Sequence, residues 1–128
     1  MTKPTVIYKR YDVVKVPFPF TDQHASKSRP ALIISSATAF NDYIGHSVMA
    51  MITSAQHTPW PLDTSIVDLN SAGLPVASII RLKLFTLDHR LIICTLGYLS
   101  DQDKTILTKT LLRSFLMNGI ELRQHIRR

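Results

Sequence analysis

The sequence is poor in cysteine and glycine, and each shortage removes a class of chemistry. Cys94 is the only cysteine, so no disulfide forms within the chain. A single thiol in an apolar run reads as an inert core residue in a reducing, cytoplasmic setting. Four scattered glycines do not build a phosphate-cradling loop. Five histidines stand far apart without metal-ligand spacing, and no Gly-x-Ser-x-Gly elbow signals a hydrolase serine. No cofactor and no metal are therefore expected. Apolar runs are too short to cross a bilayer, and Met1-Thr2-Lys3-Pro4 has none of the pattern of a secretory signal. Acids are scarce too, and no pair is set for general acid–base work. Asp101 and Asp103 cluster where a helix is predicted to begin, and there complementing the helix dipole is role enough.

What the chain does have is cations and short apolar runs. Fifteen lysines and arginines face nine acids, giving a net charge of +6 and a pI near 9.8. In a small domain that balance favours a polyanionic partner, nucleic acid before membrane, because no basic amphipathic helix dominates. At 128 residues and 45% apolar content the chain reads as one folded domain, with residues 1–10 and 120–128 as peripheral tails.

The chain is organised around two apolar runs, Val13–Phe20 and Pro30–Ser36, separated by a polar loop over residues 21–28. Pro17 and Pro19 belong where central strand pairing ends. The residue before a proline is pushed into extended geometry, so Arg29 is held at the start of the second run. Ser47–Thr53 is a third run. A hairpin centred near residues 41–42 pairs Pro30 with Thr53 and Arg29 with Ser54. After a stiff loop containing Pro59-Trp60-Pro61, Thr64–Leu69 reads as an exposed strand. Ala77–Phe85 alternates with Arg81 and Lys83 on its polar face, and Arg90–Leu96 returns as an apolar strand. Ser100 and Asp103 mark a helix start, Ile106, Leu107, Leu111, Phe115 and Leu116 share one helical face, and Asn118-Gly119 ends the helix. The fold class is thus mainly β with a C-terminal α-helix, a small, mostly antiparallel barrel.

The candidate site is cationic and hydroxylic. Arg29 has five fixed donors suited to a phosphodiester, against a plain reading as a surface cation. Thr53 adds a hydroxyl, unless it satisfies only local backbone. Arg81 faces either a groove or solvent. His24 is a proton carrier if its loop closes over a ligand, and otherwise an exposed loop histidine. Trp60, in a loop shared with His57, is placed to stack a base. Phe18 and Phe20 suit core packing better.

Val16–Asp22, Ser28–Ser35 and Met51–Ser54 resemble the MazF/PemK family of toxin–antitoxin ribonucleases. Ser78–Arg81, Thr86–Asp88 and Leu96–Ser100 extend the resemblance, in the family's order, across residues 11 to about 117. The resemblance implies an SH3-like barrel, a cytoplasmic homodimer, and a cognate antitoxin with an acidic segment. It also implies metal-independent, sequence-selective cleavage of single-stranded RNA such as mRNA, in which a 2′-hydroxyl attacks the adjacent phosphorus to leave a 2′,3′-cyclic phosphate. Arg29 and Thr53 fall on the family's catalytic arginine and threonine, and Arg81 on the later strand arginine of PemK-type members. His24 lies one residue from the family's loop histidine. RNA contacts are expected from Thr21, Lys27, Ser54, His57, Trp60 and Lys83. One departure stands out: PemK-type members carry an acid two residues after the strand arginine, whereas Leu82-Lys83 follow here, leaving the general base without a counterpart. Two rival readings are a catalytically silent nucleic-acid-binding barrel and a gyrase-directed toxin on the related CcdB fold.

Overall fold

The computed structural model describes residues 6–19 and 27–115. Both faces of the central strands are packed, as continuous apolar runs require. The strands are β1 (Asp12–Phe18), β2 (Lys27–Ile33), β3 (His46–Ser54), β4 (Thr64–Ser65), β5 (Ser78–Asp88) and β6 (Cys94–Tyr98). They form one antiparallel sheet in the order β4-β5-β3-β2-β1-β6, curled into a half-barrel. Val13, Leu32, Ala50, Ile52 and Ile80 turn one way, into a core that includes Leu99 and Leu107. Val14, Val16, Ala31, Ile33 and Met49 turn the other way, onto Leu87 and Ile92.

Among the described residues the α-helices are two short ones, α1 (Asp42–Ile44), reached through a π-type turn at Ala37–Asn41, and α2 (Leu69–Ala72), and the longer α3 (Asp101–Phe115). Ser100 caps α3 through its hydroxyl, which accepts from the Asp103 N–H at 3.2 Å. The Asp103 carboxylate does more than complement a dipole. It is 2% exposed and accepts from the backbone N–H groups of Val67 (2.9 Å) and Asp68 (3.0 Å), tying the helix start to the segment after β4. On the helix only Leu107, among the expected apolar face, is fully buried. Ile106 and Phe115 are exposed. Leu116 and the predicted helix end at Asn118-Gly119 lie outside the described residues.

Several expectations change. The strand expected over Thr64–Leu69 is only two residues long, because Asp68 caps α2 by accepting from the Ser71 N–H. Arg90–Leu96 does not return as one apolar strand. His89–Leu91 makes a 3₁₀ turn, and β6 begins at Cys94, pairing with β1 at the sheet edge. Cys94 is consequently exposed, not a core residue. The backbone of β6 packs against α2 at Gly97, where an added methyl would run into the carbonyls of Ser71 and Ala72.

Two prolines shape the region that matters below. Pro17 is paired with Ser28 of β2 but lies beyond the last β1–β6 pair, Lys15 with Cys94, so no ladder bond to β6 is lost there. Pairing between β2 and β3 ends at Ala31 with Met51, next to Pro30, which has no backbone donor to contribute. The observed register, Leu32 with Ala50 and Ile33 with Met49, differs by one residue from the expected pairing of Pro30 with Thr53. Continued past Pro30, it sets Arg29 opposite Thr53. The difference is decisive, because a one-residue slip turns a side chain to the other face of the sheet. Pairing Arg29 with Ser54 would have turned Arg29 and Thr53 away from each other.

Candidate functional site

Where β2 and β3 part, a cleft of about 170 Å³ opens, lined by Phe18, Arg29, Met51, Ile52, Thr53, His57, Trp60, Arg81 and Lys83. Its strand residues continue one sheet face. Phe18 follows Val14 and Val16 along β1, Arg29 precedes Ala31 and Ile33 on β2, and Met51 and Thr53 follow Met49 on β3. Residues alternate across a strand, so the apolar core on this face grades into a polar, cationic end.

Arg29 is half-buried, with its guanidinium carbon 5.1 Å from the centre of the Phe18 ring. Among the described residues no hydrogen-bond acceptor meets it. The ring fixes one face of the guanidinium and leaves its donors for a ligand. Across the cleft, the Thr53 hydroxyl oxygen lies 2.9 Å from Nδ1 of His57. The same nitrogen is 3.2 Å from the Ser54 carbonyl oxygen, to which the His57 backbone N–H also donates at 3.2 Å.

The third wall is β5. Between Met51–Arg81 and Ala50–Leu84 the register shifts by two residues, leaving Leu82 and Lys83 as a bulge. Bulges re-aim side chains, and here Lys83 joins Arg81 in the cleft. Arg81 is 9% exposed and tightly held. Its Nε donates to Oδ1 of Asp63 (3.2 Å), and its Nη2 donates to Oδ2 of Asp63 (3.0 Å) and to the Thr58 carbonyl (2.8 Å). The Trp60 ring lies 4.8 Å from the guanidinium carbon. Among the described residues Nη1 meets no acceptor.

Sequence reasoning passed over Asp63. It comes eighteen residues before Arg81 on a separate loop, so no local spacing advertises the pair; its only signal is being the sole acid between β3 and β4. Leu62 adopts a left-handed backbone (φ 66°), uncommon for a branched residue, and the turn is closed by the Trp60 N–H donating to Oδ2 of Asp63 at 2.8 Å. The hydrogen bonds from Arg81 hold the Asp63 carboxyl below its ordinary value, against the opposing effect of burial.

Of the predicted site residues, Arg29, Thr53, His57, Trp60, Arg81 and Lys83 share the cleft. Ser54 lies on the alternate face, its hydroxyl accepting from the Gln56 N–H at 3.3 Å. Lys27 is exposed at the start of β2, paired with Phe18 and outside the cleft lining. Thr21, His24 and Phe20 lie outside the described residues. Asp88 is no substitute base, since Arg90 grips it at 2.7 Å and pulls its carboxyl far below the usual range. Among the described residues no three His, Cys, Asp or Glu side chains gather as metal ligands, and no helix is long and apolar enough to cross a membrane.

Residues 9–115 match the family described as PemK-like, MazF-like toxins of type II toxin–antitoxin systems. No curated protein matches the chain. Among solved structures, a MazE–MazF crystal structure from Deinococcus radiodurans is similar at 19% identity and a TM-score of 0.66, over 89% of this chain and 100% of that one. An endoribonuclease from a mycobacterial species is similar at 14% identity and 0.68, over 91% and 98%. The Mycobacterium tuberculosis toxin MazF-mt6 is similar at 17% identity and 0.64, over 84% and 98%.

Proposed function

Because this chain belongs to the PemK-like, MazF-like toxins of type II toxin–antitoxin systems, we propose that it is an endoribonuclease cutting single-stranded RNA at the Arg29–Thr53 cleft. The observation that carries this reading is a guanidinium with no acceptor among the described residues, sharing one cleft with a threonine hydroxyl. That pairing suits a phosphodiester that gains negative charge as it reacts.

The 2′-hydroxyl attacks the neighbouring phosphorus, and the 5′-oxygen leaves. Proximity already favours this intramolecular step. Arginine stays protonated at any ordinary pH, so Arg29 stabilises the pentacoordinate phosphorane and takes no proton. Thr53 is a second donor. The charge stabilisation comes from side chains, and no metal ion is required. Lys83 in the cleft and Lys27 at the start of β2 hold the RNA backbone, with Thr21 as a further expected contact; Ser54, on the alternate face, makes none. Trp60 is 45% exposed and stacks a base on the surface that Arg81 leaves open. Arg81 acts mainly by fixing that ring and by adding positive field. The chain works in the cytoplasm as a homodimer, and its inhibitor is a cognate antitoxin, a partner class supported by the similar MazE–MazF structure from Deinococcus radiodurans; its acidic segment fills the cleft.

The test is to incubate the purified protein with a mixed-sequence RNA in EDTA and to map the new ends. Cuts leaving 2′,3′-cyclic phosphate and 5′-hydroxyl ends are expected. Cleavage abolished by EDTA, cuts leaving 5′-phosphates, or binding without any cut would overturn the reading.

A further inference from the structure

We propose that His57 is the general base of this cleft, taking the proton of the attacking 2′-hydroxyl at Nε2; the assignment rests on the ribonuclease reading above. A carbonyl oxygen only accepts. With the Ser54 carbonyl 3.2 Å from Nδ1, the ring hydrogen of neutral His57 sits on Nδ1, and the lone pair is on Nε2. That is the tautomer a base needs, and backbone fixes it. The Thr53 oxygen, 2.9 Å from the same Nδ1, accepts a share of that hydrogen, which leaves the threonine O–H to donate to a phosphate. One short hydrogen-bonded unit thus sets both groups.

The other charged groups of the cleft are unsuited to the task. Arg29 from β2 and Arg81 and Lys83 from β5 are cations that hold phosphate. Asp63, from the loop before β4, has both oxygens engaged by Arg81 and is held in its ionised form. Imidazole is the side chain that exchanges protons in the neutral range. His57 also stands in for the acid that Leu82-Lys83 do not supply after Arg81, but it comes from a different strand end, four residues after Thr53.

In the step, the 2′-O–H bond breaks and its proton goes to Nε2. The 2′-oxygen bonds to phosphorus, and the P–O5′ bond breaks. The departing 5′-oxygen takes a proton from water, and the imidazolium returns its own to solvent.

The experiment compares the unaltered chain with His57→Gln, which keeps a donor for the Ser54 carbonyl but has no proton-accepting nitrogen. His57 is exposed, so folding is preserved, and equal thermal midpoints check this. On an RNA cut by the unaltered chain, kcat/KM of the variant is expected to fall about 100-fold, and the acidic limb of its pH profile to disappear. Affinity for the same RNA with a 2′-deoxy residue at the cut site is expected to stay within about threefold. A retained acidic limb, or a loss confined to affinity, would overturn the assignment while leaving the ribonuclease intact. No cleavage by the unaltered chain would overturn both.

Discussion

The two arginines of the cleft are the same residue type in opposite states. Arg29 lies on Phe18, with no acceptor among the described residues. Arg81 is gripped by Asp63 and Thr58 and covered by Trp60. Backbone explains the difference. Arg29 comes where Pro30 stops a ladder, so its strand is parted from β3. Arg81 is paired with Met51 inside the longest strand, with a loop folded over it. A cation that meets no acceptor among the described residues is available to a substrate phosphate. One already in a two-oxygen ion pair, with side chains 11% and 10% exposed, gains little from a second anion. Under the proposed ribonuclease reading, the difference separates a group that does chemistry from one that holds the wall.

The sharpest way to break that contrast is Asp63→Ala. It leaves a nearly buried guanidinium short of acceptors, and we expect a loss of about 3 kcal/mol in urea unfolding. Replacing both partners with apolar residues should recover much of it. The pair also predicts a pH signature. The folded carboxyl is lowered from 3.8, so its contribution is present above the unfolded value and is lost as pH falls below about 4 through the folded value. Asp68 and Asp88 shift in the same direction. The difference between the parent and Asp63→Asn therefore isolates the Arg81 pair. Next in size is Trp60→Ala, which should weaken binding to non-cleavable RNA by about 1–3 kcal/mol, read by fluorescence anisotropy. The smallest effect is Lys83→Ala. Its loss should reduce the slope of log K against log salt by about 0.7, with cleavage positions unchanged.

Much of this was legible in the sequence because the strands announce themselves as apolar runs and the Arg-Pro step fixes one side chain. Six of the nine residues that line the cleft could be named as candidates from the chain alone. Their arrangement could not. The connection through Ala37–Ile44 starts with a π-type turn, and the register it leads to, one residue from the expected pairing, is not something hydrophobic periodicity reveals. The Leu82-Lys83 bulge likewise leaves no mark on an alternating pattern. Asp63 and Asp103 were missed or undervalued for a common reason. Their partners, Arg81 and the backbone of Val67 and Asp68, lie eighteen or more residues away, and only the folded chain brings them together. Cys94 was misplaced because an apolar neighbourhood in sequence became an edge strand with one side open.

The most direct measurement is a single-turnover experiment on Arg29→Ala, with cleavage rate and affinity for a 2′-deoxy RNA measured side by side. If the Arg29 guanidinium stabilises the phosphorane, the rate constant falls by about 100- to 1,000-fold while affinity drops by less than about tenfold. A loss that falls wholly on affinity, with the cleavage step at its full rate, would contradict the account.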